Sequence, residues 1–224
     1  EIVLRHFRPQ GVVRRIRHWA SRTFDRFYTD EDGALGRCQT IHPQESPVCD
    51  FLGPQKRVAT EFCGNIDPLD LDEYLGHDGF VALRRCLTEL DPSQVIEQVR
   101  ISGLRGRGGA GFPTHIKWEK VRQAGDGTKY VICNGDEGDP GAFMDRMLLE
   151  SFPYRVIEGI AIAAKVVGAH EGIFYIRAEY PLAVERIREA LRRCRERGYV
   201  GESLLGTGFS LQLSVKEGAG AFIC

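Results

Sequence analysis

A chain of 224 residues, 42% hydrophobic and 27% charged, holds enough apolar material for one substantial core. Its net charge of -1 gives no global attraction to nucleic acid, and no apolar run approaches the roughly 18 residues a spanning helix needs, so nucleic-acid binding and direct membrane insertion are both set aside. The seven cysteines (Cys38, Cys49, Cys63, Cys86, Cys133, Cys194 and Cys224) are dispersed, odd in number and without a CxxC pair. With no signal-peptide pattern beside them, they suit the reduced thiols of a cytoplasmic protein and argue against a zinc or cluster site within these residues.

In chain order, residues 1–26 carry seven arginines against Glu1 and Asp25. Val12, Val13, Ile16 and Trp19 give this stretch a packing stripe, which favours an N-terminal helical segment with a solvated or partner-docking basic face over a nucleic-acid arm. Residues 28–54 are rich in turn formers and read as a connector, so residues 1–54 are expected to form the tail of a preceding domain and residues 55–224 a second unit. Residues 67–90 and 91–101 each open with Asp-Pro, a helix-starting pair, and Val95, Ile96 and Val99 recur at helical spacing. From there strand 129–133, helix 153–167, strand 172–177, helix 181–197 and strand 209–215 alternate. That βαβαβ order predicts an α/β fold around a parallel sheet with right-handed crossovers.

Two segments carry chemistry. The first is 103–118, GLRGRGGAGFPTHIKW, in which Gly106, Gly108 and Gly111 satisfy GxGxxG. With Gly109 and Ala110 between them the loop is almost free of side chains, so backbone N–H groups can face an anion, and Arg107 and Lys117 add positive charge. The usual dinucleotide fingerprint follows a strand and opens a helix, whereas this loop leaves a helix; the fold is therefore Rossmann-like without the Rossmann use of the motif. Taken alone, such a run also suits a tight packing turn. The second segment is 134–143, NGDEGDPGAF, which follows the apolar run KYVIC and lies where ligands bind in open parallel sheets, beyond a strand's carboxyl end. Asn134 can bond a polar ring edge there, and Asp136, Glu137 and Asp139 can accept from sugar or polyol hydroxyls. A solvated acidic turn is the plainer alternative.

These two motifs, with the terminal GAGAFIC, resemble the NADH-binding flavoprotein subunit of respiratory complex I and its soluble relatives, the diaphorase subunits of NAD-linked formate dehydrogenases and hydrogenases. The resemblance runs from about Gln55 to Cys224 and rests on three motifs in order. It implies an FMN/NADH-binding domain, with Gly106, Arg107, Gly108, Gly109, Ala110, Gly111, Lys117, Asn134, Asp136, Glu137 and Gly138 around FMN. Phe112, Glu137, Asp139 and Phe222 would face NADH. No side chain is expected to act as a catalytic acid or base. The nicotinamide stacks on the flavin and hydride passes between the rings, so the protein serves to align them.

The resemblance also implies partners. Electrons would leave toward iron-sulfur subunits of a multi-subunit oxidoreductase, in either direction of flow. A non-redox nucleotide-binding module and a truncated structural remnant are the alternatives. His115 stands where the family usually has glycine, Phe222 where many members have tyrosine, and Asp139 where glutamate is more frequent. In the family GAGA(Y/F)IC continues into Gly-Glu-Glu-Thr, a ubiquitin-like insert and a helical domain holding a [4Fe-4S] cluster, so the sequence is expected to be an incomplete domain, a fragment open at both ends. NAD in preference to NADP follows from the resemblance and from Glu137 and Asp139, whose charge opposes a 2′-phosphate.

Overall fold

The computed structural model describes residues 54–125 and 127–219. The chain divides into two compact units, Glu1–Gly64 and Asn65–Cys224. Of the first, the described residues 54–64 are turns and irregular chain; the basic segment and connector predicted for residues 1–54, together with Cys38, Cys49, Phe222 and Cys224, lie outside the described residues apart from position 54 itself.

The second unit begins with helices α1 (Leu71–Gly76), α2 (Val81–Thr88) and α3 (Pro92–Ser102). The expected helix opening at Asp67-Pro68 is instead two short ones. Asp67 makes a turn, its carboxylate accepting from Leu69 N, while Asp70 caps α1 by accepting from Glu73 N at 2.9 Å. Between α1 and α2 the backbone turns left-handed at Asp78 and Phe80 (φ 59° and 61°), which no helix can absorb. The cap that α2 lacks locally comes from far away: buried Glu158 accepts from Phe80 N (2.8 Å), Leu83 N (3.1 Å) and the Tyr74 hydroxyl (2.6 Å). Burial first, then Glu158, pushes the Tyr74 hydroxyl far above its ordinary pKa, so it stays a donor. Helix α3 starts as predicted, on a capping box in which Asp91 accepts from Ser93 N and Gln94 N while Gln94 accepts from Asp91 N.

Helix α4 (Thr114–Gln123) then leads to β1 (Tyr130–Gly135), α5 (Met144–Ser151), α6 (Pro153–Val167), β2 (Glu171–Arg177), α7 (Pro181–Glu196), a short 3₁₀ turn (Leu204–Gly206) and β3 (Gln212–Gly218). The three strands form one parallel sheet in the order β1-β2-β3, with Tyr130 opposite Glu171 and Glu171 opposite Gln212. The α/β alternation and the parallel sheet are thus as expected from sequence. Helix α5 is an addition to it, and β3 starts three residues later than predicted because Leu211 pairs antiparallel with Gly201 and the ladder with β2 begins only at Gln212.

The core lies on one face of the sheet, where Phe174 and Ile176 from β2 and Leu213 from β3 meet Ile157, Ala161 and Ala164 of α6 and Ile187, Leu191 and Cys194 of α7. Each of the Ile, Leu and Phe side chains contributes about 1.5–3 kcal/mol when fully buried. Two glycines mark where helices press on strands. A Cβ at Gly172 would stand 2.5 Å from Leu213 of β3 and 3.3 Å from Ile160 of α6, and one at Gly135 would stand 2.8 Å from Leu149 of α5 and 3.2 Å from the Tyr175 carbonyl. The last residue of β1 is therefore fixed by α5, which steadies the strand end that follows. On the opposite face Tyr130 and Ile132 of β1 are exposed.

Candidate functional site

The glycine loop is closed at its base and open at its tip. Gly106 N donates to the Phe112 carbonyl at 2.9 Å, Thr114 N donates to Leu104 O at 3.1 Å, and Arg105 Nη1 donates to Gly111 O at 2.8 Å. Residues Arg105 and Pro113 pair as an antiparallel bridge, so 106–112 forms a pinched loop set directly on the N-terminus of α4. At the tip Arg107, Gly108, Gly109 and Ala110 are exposed, and none of the N–H groups of Arg107 to Gly111 donates to a protein acceptor among the described residues. Gly109 turns the tip at φ 96°, a conformation that excludes a side chain. A Cβ at Gly108 or Gly109 would meet nothing within 4 Å among the described residues.

The loop is held in place by its neighbours. Trp118 of α4 is half-buried against both clusters of the core. Phe112, at the loop's exit, is 38% exposed with Lys117 Nζ 5.7 Å from its ring centre, which places two of the sequence-predicted site residues side by side. His115 is half-buried in the first turn of α4. Residues 124–129 join α4 to β1.

The strand-end turn has a more specific architecture than its sequence suggests. Asn134, exposed, accepts from Asp136 N at 3.0 Å. Glu137 faces inward: its carboxylate accepts from Asp145 N (3.0 Å) and Arg146 N (3.2 Å), capping α5, whose own N-cap residue Phe143 provides no side-chain bond. Its main-chain carbonyl accepts from Arg177 Nη1 at 2.8 Å and from the Tyr180 hydroxyl at 3.2 Å. Burial and the charge of Glu137 push the Asp145 carboxyl up. Asp136 is different. Its Oδ1 is buried without a hydrogen bond, 3.7 Å from Arg177 Nε, whose nearer ion-pair partner is the exposed Glu179 carboxylate at 2.5 Å. Gly138 is half-buried, and Asp139 is exposed at the rim.

Arg177, Tyr180 and Arg146 are members of this site that the motifs do not reveal. Tyr180 lies between two guanidinium groups, with Arg146 5.6 Å and Arg177 5.9 Å from its ring centre. Their signal was nonetheless present: IRAEY ends β2, and the rule that singles out the carboxyl end of β1 applies equally to its neighbour. Cys133, in the strand below, is a half-buried thiol pushed up to about 12 by burial, hence unreactive.

The residues present fit a phosphate-bearing polyol cofactor. The loop tip offers backbone donors that no acceptor among the described residues fills, at a helix N-terminus, which suits a phosphate. The orphaned Asp136 oxygen suits a hydroxyl donor, and the exposed ring of Phe112 suits a flat aromatic group.

A family model of the Nuo51 FMN-binding domain matches residues 99–224. The chain belongs to this family. It is 49% identical over 170 residues to the NADP-reducing hydrogenase subunit HndC of Solidesulfovibrio fructosivorans, covering 76% of this chain and 34% of that protein. It is 45% identical over 163 residues to an NADH-quinone oxidoreductase subunit of Rhizobium meliloti, covering 71% of this chain and 39% of that protein. With the NAD-reducing hydrogenase HoxS subunit alpha of Cupriavidus necator it shares 47% over 143 residues, 63% of this chain and 24% of that one. A solved NAD+-reducing [NiFe]-hydrogenase in its H2-reduced state superposes with a TM-score of 0.57 at 30% identity, over 75% of this chain and 26% of that chain. The chain thus spans roughly a quarter to two fifths of the length of these curated relatives. Both motifs of the Nuo51 FMN-binding domain family discussed above fall inside the matched region. Among the described residues no helix is long and apolar enough to cross a membrane.

Proposed function

We propose that this protein is the electron-entry, or diaphorase, part of a multi-subunit oxidoreductase, an NADH dehydrogenase module that works with FMN. The observation that carries this reading is the open-tipped glycine loop at the start of α4 together with the Asn134–Asp139 turn at the end of β1, both within the part of the chain that matches the Nuo51 FMN-binding domain family. FMN, when bound, takes hydride from a reduced nicotinamide nucleotide and passes the electrons on singly.

The chain's own residues bind and align. The N–H groups of Arg107 to Gly111 hold the cofactor phosphate, with Arg107 and Lys117 supplying positive charge. Asp136 accepts from a cofactor hydroxyl, and Asn134 meets a polar ring edge. Phe112 and Phe222 give the nucleotide apolar faces to lie on, which excludes water from the stack. Because Glu137 is committed to capping α5, repulsion of a 2′-phosphate falls mainly to exposed Asp139. NAD(H) remains the proposed nucleotide, although one of the relatives above is named as NADP-reducing.

Residues 55–224 are proposed as the front part of the FMN/NADH-binding domain and residues 1–54 as the tail of a preceding one. Iron-sulfur subunits, and a [4Fe-4S] cluster carried by sequence beyond this segment, are the proposed electron acceptors, on the cytoplasmic side where the nucleotide pool is. Anaerobic addition of NADH to the FMN-loaded protein tests the reading: the yellow flavin band should bleach. Protein with stoichiometric FMN that stays yellow under excess NADH is not a hydride acceptor, and a non-redox nucleotide-binding module then takes its place.

A further inference from the structure

The carboxylates of the strand-end turn are not equivalent, and the cause lies on β2. Glu137 is fully engaged: both carboxylate oxygens accept from the backbone of α5, and its carbonyl accepts from Arg177 and Tyr180. The Tyr180 hydroxyl also reaches Glu137 Oε2 at 3.3 Å, so one phenol grips both the main chain and the side chain of the same residue. The guanidinium groups of Arg146 and Arg177 lie 5.6 and 5.9 Å from the centre of the phenol ring. Next door, Asp136 is only 13% exposed, and its Oδ1 is left without a donor, 3.7 Å from the Nε of Arg177, which Glu179 approaches from the solvent side at 2.5 Å. A buried carboxylate oxygen without a hydrogen bond is costly unless a charge stands beside it and a further donor completes it.

We propose that Arg177 and Tyr180 are positioning residues for the FMN site: by locking Glu137 inward they set the turn so that Asp136, beside Arg177, is left as its buried, unfilled acceptor for a cofactor hydroxyl. This rests on the reading that the turn holds FMN. It goes further in assigning the turn's shape to two residues outside every motif, at the end of the neighbouring strand. Neither touches the cofactor in this account; both act through Glu137 and Asp136.

The test uses the complete chain freed of FMN, with flavin fluorescence titration and thermal melting measured side by side. Tyr180→Phe keeps the ring between its two guanidinium neighbours and removes only the hydroxyl. Arg177→Gln removes the charge beside Asp136, and Arg177→Lys restores the charge without the forked geometry. Glu158→Gln, which breaks a buried network elsewhere in the fold, serves as the purely structural comparison.

Tyr180→Phe is expected to weaken FMN binding about tenfold and Arg177→Gln more, each near the wild-type melting temperature, with Arg177→Lys recovering part of the loss. Glu158→Gln should melt early and bind FMN normally below its transition. If the wild type binds FMN while Tyr180→Phe and Arg177→Gln bind it equally well, the positioning role is wrong. The same holds if their affinity falls only together with a lowered melting temperature. A wild type that does not bind FMN at all instead overturns the function proposed above.

Discussion

Replacing Gly108 separates the needs of the fold from the needs of a ligand. Gly108 sits at the exposed tip of the loop, its backbone is not in the left-handed region, and a Cβ built there meets nothing within 4 Å. The fold therefore has no use for its lack of a side chain. Gly108→Val should change stability by no more than about 0.5 kcal/mol, as for other surface positions. A phosphate approaching the N–H groups of Arg107 to Gly111 would find the branched side chain in its place. Hydrogen bonds to a charged group contribute about 1.5–3 kcal/mol each, so the loss of even one weakens FMN binding by roughly 10- to 150-fold. Apoprotein melting and flavin fluorescence titration measure the two quantities separately. The expected pair is an unmoved melting temperature with affinity lost. Unchanged affinity would mean that the loop tip does not face the phosphate. A melting temperature that collapses together with affinity would mean that the glycine serves the loop's own packing.

Phe112→Ala should raise the KM for NADH by about two- to twelvefold and leave FMN content alone, since the ring is exposed beside Lys117 and stacking contributes about 0.5–1.5 kcal/mol beyond the buried area. Steady-state kinetics at fixed flavin content checks this, and loss of FMN with unchanged KM would assign Phe112 to the other cofactor. Glu158→Gln leaves at least one of three buried donors facing an amide N–H₂, which costs about 1–3 kcal/mol and lowers the melting temperature by about 2–4 °C per kcal/mol in a unit of this size. An unmoved melting temperature would show that the network adds nothing net.

How much of this could be read from sequence depended on whether the determining contact was local. Helix α6 starts at Pro153 and ends at Val167 before a left-handed Gly168, and α7 starts at Pro181; both carry their own start signals and apolar stripes, and both were legible to within a residue. Helix α3 carries its capping box within four residues and was equally plain. Helix α5 was not seen, because its cap is Glu137, which the turn NGDEGDPG had marked as a ligand residue. The break between α1 and α2 was missed for the same kind of reason. Its left-handed residues are Asp78 and Phe80, not glycines, and the group that compensates the exposed start of α2 is Glu158, 75 or more residues away in sequence.

The site divides along the same line. The glycine loop was legible because its chemistry is in its own residues: absent side chains, a left-handed tip and adjacent cations. The strand-end turn was legible only as a cluster of carboxylates, since which of them is free depends on what β2 and α5 bring to it. Sequence alone makes Asp136, Glu137 and Asp139 interchangeable acceptors. In the fold Glu137 closes a helix, Asp136 waits half-satisfied beside Arg177, and Asp139 stands in solvent at the rim. Three residues of one chemical type thus acquire three separate tasks, cap, acceptor and outward charge. The separation is produced by Arg177 and Tyr180, one strand away, so a change at either should be felt first at Asp136 and only afterwards in the stability of the sheet.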